Sequence, residues 1–82
     1  MQRYTVETTQ YTTNIKIYSN CNEIAFINTG TNTAYVDKLP IVAGGYLSIN
    51  GNAGEFCVNQ FSIEFTTQNS TQQLTVVKKT YL

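Results

Sequence analysis

A chain of 82 residues is long enough for one small domain and too short for two. Five basic and five acidic residues leave a net charge of zero, so the domain as a whole carries no electrostatic footprint for nucleic acid. Charged residues make up only 12% of the chain, about half the usual share, and no apolar run reaches the length of a membrane span.

In chain order, residues 1–12, MQRYTVETTQYT, alternate Tyr4 and Val6 with polar residues before a threonine-rich stretch. They predict either an N-terminal arm ordered by a partner or an edge strand, with 13–82 as the β-sandwich domain. This opening lacks the apolar core of a secretory signal, so the chain is expected to stay in a cytoplasm until it is packaged. Ile15 and Ile17 alternate with Lys16 and Tyr18, the period-two pattern of a half-buried strand. Residues 24–27, Ile-Ala-Phe-Ile, are apolar on both faces, as in a central strand or one whose outer face meets a neighbour. The Asn28 to Thr33 turn then predicts a hairpin, with Ala34, Tyr35 and Val36 as the partner strand.

Asp37 and Lys38 form a bend before Leu39, and Pro40 must sit at a sheet edge or strand start because it has no N–H to donate. Gly44 and Gly45 allow a reversal before residues 46–49, in which Leu47 and Ile49 are the core pair. A loop over residues 50–54 leads to the sharpest alternation in the chain, Phe61, Ile63 and Phe65 inward and Ser62 and Glu64 outward. A polar turn at 68–72 precedes the last strand, 73–79. About seven short strands with turns every ~8–12 residues predict an all-β fold, a small antiparallel sandwich or partly open barrel. Ile24, Phe26, Phe61, Ile63, Phe65, Leu74 and Val76 are its expected core.

Chemistry is harder to place. The chain contains no histidine, and its five carboxylates are scattered, so the usual general acid and base groups are missing. A cysteine nucleophile would lack a base, and Cys21 and Cys57 are too few for a disulfide framework or a zinc site. They are expected to be reduced, half-buried hydrophobes, with a bridge between strands as the alternative. The glycine loops precede extended segments and not helices, so they do not make a phosphate cradle. Asn69-Ser70-Thr71 matches the glycosylation sequon, which without a secretory route is a chance match. The chain is therefore expected not to be an enzyme and to use no metal or cofactor.

Neutral hydroxyls and amides cost less to bury against a partner than charges do. Tyrosine adds contact area with a polar tip. Tyr4, Val6, Tyr11, Tyr18, Tyr35 and Tyr46 are the expected interface residues, Tyr81 being the sixth tyrosine. Lys78 and Lys79 form the only adjacent basic pair, expected to be a solvated strand end.

Residues 24–55 resemble a pattern in small structural proteins of tailed bacteriophages, including those of gut Bacteroidetes phages. There an apolar strand runs into an Asn-x-Gly turn, here Phe26-Ile27-Asn28-Thr29-Gly30, followed by a second strand at Tyr35-Val36. The next elements are Leu39-Pro40-Ile41-Val42-Ala43-Gly44-Gly45, Ser48-Ile49 and Gly51-Asn52-Ala53-Gly54-Glu55, with Ala43 where a second proline often falls. The resemblance implies a virion protein of β-sandwich fold, assembled in the host cytoplasm. It would be an auxiliary or decoration protein that bridges and stabilises shell subunits, in many copies or as a homo-oligomer. Its partners would be the major capsid protein or other virion proteins, with no nucleic acid and no membrane. The alternatives are a tail, neck or fibre-base component and a carbohydrate-binding or adhesion module. A patch of coplanar tyrosines beside Asn50 and Asn52 would favour the last.

Overall fold

The computed structural model describes residues 1–66 and 71–82; the tip of the expected polar turn and the first two sequon positions lie outside the described residues. Among the described residues the chain forms eight strands and no helix. They are β1 (Tyr4–Tyr11), β2 (Ile15–Tyr18), β3 (Glu23–Asn28), β4 (Ala34–Val36), β5 (Leu39–Ile41), β6 (Tyr46–Ile49), β7 (Gln60–Phe65) and β8 (Leu74–Tyr81). Two four-stranded sheets result, ordered β1-β8-β3-β6 and β2-β7-β4-β5, with every pairing antiparallel. This is the small antiparallel β-sandwich that the alternation predicts.

The inward sets of both sheets meet in one core. Ile24 and Phe26 of β3, Leu74 and Val76 of β8, and Phe61, Ile63 and Phe65 of β7 are all buried, joined by Ile17, Cys21, Ala34, Val36 and Ile41. Phe26 and Phe61 cross edge to face between the sheets, 5.1 Å between centroids, so the two layers are tied at the centre of the core. Leu47 and Ile49 pack against its rim, half-buried.

One expectation is overturned by the pairing. Residues 34–36 do not return as the partner of 24–28: β3 lies between β8 and β6 in the first sheet, whereas β4 lies between β7 and β5 in the second. The chain instead crosses between sheets at residues 28–33, where Asn28 anchors it. Its buried side chain donates to the Asn32 carbonyl at 2.7 Å and to the Ile41 carbonyl at 2.8 Å, while its Oδ1 accepts from Gly30 N–H at 3.0 Å. Together with Gly30 and Thr31 N–H donating to the Gln73 and Thr71 carbonyls, those bonds give the crossover backbone partners outside any hairpin.

Residues 4–11, which the sequence left open as arm or edge strand, run as β1 along the whole of β8, from Tyr4 opposite Tyr81 to Tyr11 opposite Leu74. Pro40 sits on β5, the edge of the second sheet, where a missing N–H costs no ladder bond. Asp37 and Lys38 link β4 to β5 with φ of 48° and 69°, the two left-handed residues of a two-residue hairpin whose twist matches its strands. Principal extents of 43 × 19 × 16 Å show how far the long β1 and β8 ribbon lengthens the molecule.

Candidate functional site

Alternation decides what each sheet shows to solvent. In β8, Leu74 and Val76 face the core, so Thr75, Val77, Lys79 and Tyr81 face outward, and the register carries this across the sheet. Lys79 lies between Val6 of β1 and Glu23 of β3; Val77 lies between Thr8 and Ala25, with Ser48 of β6 beyond. The outer face of the first sheet is thus a broad neutral surface of Tyr, Val, Ala, Ile and Thr. A shallow trough of about 270 Å³ runs across it, lined by Tyr4, Val6, Ala25, Ser48, Asn50 and Val77, with Glu23 and Lys79 at one end.

At that end the Tyr4 and Tyr81 rings meet edge to face, 6.1 Å apart and inclined at 71°. Lys79 Nζ sits 4.3 Å from the Tyr4 centroid and 4.9 Å from that of Tyr81, and 3.9 Å from Glu23 Oε2. A hydrogen bond with Tyr81 is the main reason the Lys79 pKa lies above the usual lysine value; desolvation works against it, and the charges of Glu23 and the phenols work with it. Glu23 Oε1 also accepts from Gly51 N–H at 3.3 Å. Lys79 and Glu23 on this face are therefore both engaged within the molecule.

Tyr4 is 53% exposed, Val6 57% and Tyr46 73%, and all three lie on this face, Tyr46 at its β6 corner opposite Ile27. Tyr18 and Tyr35 lie on the outer face of the second sheet, Tyr18 exposed and Tyr35 half-buried opposite Glu64 and Pro40. Tyr11 is on the inward side of β1 and packs against the core. The six expected interface residues thus divide among three surfaces. Sequence reasoning did not put Val77, Ala25, Lys79 and Tyr81 with Tyr4 and Val6; the signal was present in the doubly apolar 24–27 segment and the Val76-Val77 pair, but only the register brings them together.

Among the described residues, no three or more acidic or thiol side chains come together elsewhere. Asp37 accepts from Ser62 N–H at 2.8 Å, Glu55 closes its own turn by accepting from Asn52 N–H at 2.8 Å, and Glu64 faces Tyr35. An open recess of about 410 Å³ along β2 and β7 has Glu64 as the one carboxylate of its lining, beside Lys16. No pair of carboxylates is presented there for acid and base work. Cys21 and Cys57 are free thiols lying directly opposite each other, exchanging backbone hydrogen bonds of 3.2 and 2.7 Å. Burial raises the Cys21 thiol pKa, only partly offset by the Lys78 charge, so the group stays protonated and poorly nucleophilic.

A sugar platform would want parallel, coplanar rings; the two tyrosines that come together cross at 71°. Compared with family models, curated proteins and solved structures, the chain matches no family, no curated protein and no solved structure.

Proposed function

We propose that this chain is a non-catalytic structural protein that works by docking the outer face of its first sheet onto another protein. The observation carrying the reading is that face: neutral, rich in Tyr, Val and Thr, with Lys79 and Glu23 already paired on it. Such a surface is desolvated at low cost and gains from apolar contact at roughly 25 cal/mol per Å² before association costs. The resemblance of residues 24–55 to small phage structural proteins supplies the setting. The partner is then the shell of a tailed phage, with the chain as an auxiliary or decoration protein reinforcing the lattice in the virion. The same docking chemistry at a tail or neck is the second reading.

The test adds full-length chain to purified particles lacking it and measures cosedimentation. Wild type is expected to bind saturably, while Val77→Glu, which sets an unpaired carboxylate in the middle of the face, is expected to bind at least tenfold more weakly with its melting temperature held. Equal binding of the two would remove this face from the account.

A further inference from the structure

The two sheets have four edge strands, β1, β6, β2 and β5, and the structure treats one of them differently. An edge strand offers unpaired N–H and C=O groups, and proteins blunt it with short length, proline or lysine. Three edges follow that rule: β5 is three residues with Pro40, β2 is four residues with Lys16, and β6 is four residues. β1 does not. It is eight residues, YTVETTQY, with no proline, no lysine and a single charge at Glu7.

We infer that β1 is the pairing edge of a two-fold homodimer, in which two copies join their first sheets into one continuous antiparallel sheet with Thr8 opposite Thr8. Leu82 N–H donates to the Arg3 carbonyl at 2.9 Å, which puts the hydrogen-bonded pairs with β8 at the odd-numbered residues of β1. Tyr4, Val6, Thr8 and Gln10 therefore direct their N–H and C=O groups away from β8, and among the described residues no strand pairs that edge.

A two-fold axis perpendicular to the sheet keeps the outer faces on one side, so a residue must oppose one of the same parity. Only two registers overlap nearly the whole strand. The first sets Glu7 directly against Glu7, and like charges so placed are destabilising. The second sets Thr8 against Thr8, Val6 against Gln10 and Glu7 against Thr9. It joins the outward-facing groups of residues 6, 8 and 10 in mutual hydrogen bonds, and Thr–Thr is a favourable cross-strand pair. Electrostatics favours a second copy as the occupant: net charge is zero, so copies do not repel, and Glu7 already lies opposite Lys78 within its own sheet.

Sedimentation velocity over a concentration series tests this, with Thr8→Pro as the probe. Proline there removes an outward N–H that makes no bond to β8, so the fold is retained. Wild type is expected to show a concentration-dependent dimer, and Thr8→Pro to weaken it about tenfold or more with the thermal transition in place. In a Cys57→Ser background, Thr8→Cys is expected to cross-link to its own copy under mild oxidation and Glu7→Cys is not. A wild type that stays monomeric, a dimer indifferent to Thr8→Pro, or preferential cross-linking through position 7 would overturn the inference. Its fate is separable from that of face docking: a monomer that coats particles sinks only the pairing, and a dimer that ignores particles sinks only the docking.

Discussion

Asn22 and Gly51 fix the approach of the 50–55 loop to the end of β8. Asn22 is buried: its amide donates to the Glu55 carbonyl at 2.7 Å and its Oδ1 accepts from Tyr81 N–H at 2.8 Å, stitching the 50–55 loop to the end of β8. Gly51 lies so close to the Asn22 carbonyl that a Cβ would overlap it. Gly51→Ala is therefore expected to cost about 2–3 kcal/mol, a large part of the roughly 4–12 kcal/mol a domain of this size holds; a urea midpoint within 0.2 M of wild type would contradict it. The titrating groups give a second expectation. Cys21 and Lys79 both have raised pKa values, from ordinary values of 9.0 and 10.5, so the folded state keeps protons that the unfolded chain has lost. Their contributions are whole below those ordinary values and disappear as pH rises through the folded ones. Denaturation midpoints should fall from pH 9 to pH 11; a rising midpoint would reverse the sign of the argument.

At the scale of strands, the β4–β5 hairpin holds a non-glycine residue at a conformation glycine prefers. Lys38 has φ of 69° and is exposed, so Lys38→Gly is expected to stabilise the fold by up to about 1 kcal/mol, read as a rise in melting temperature; a fall would mean that the lysine side chain contributes something the backbone argument omits. The strands themselves were largely legible before the structure. Alternation in Phe61, Ile63 and Phe65 set the inward face of β7, and Pro40 pointed to an edge or a strand start, of which the structure shows the edge. Pairing was less legible, because Asn28, Thr29 and Gly30 read as hairpin chemistry whereas the buried Asn28 amide uses the same residues to cross between sheets. Local turn signals say that the chain bends, and long-range register says where it goes. The candidate face had the same limit: Tyr4 and Tyr46 were visible as isolated tyrosines, but the residues opposite them, Tyr81 and Ile27, lie on strands that only the register brings alongside.

The whole molecule is a thin two-layer sandwich with a 43 Å long axis, one neutral broad face and, among the described residues, one long edge that no strand pairs. Small domains bury only about 60% of their unfolded surface, so neighbours in an assembly add stability that the isolated chain lacks. Under the proposed function the chain is a repeated component of a virion shell. Quantitative mass spectrometry of intact particles from the source tests it most directly, by the copy number of this chain relative to the major shell protein. The expected number is on the scale of the shell subunits themselves, on the order of hundreds per particle by the logic of many modest repeated interfaces. Absence of the chain from the particles, or a handful of copies, would contradict it.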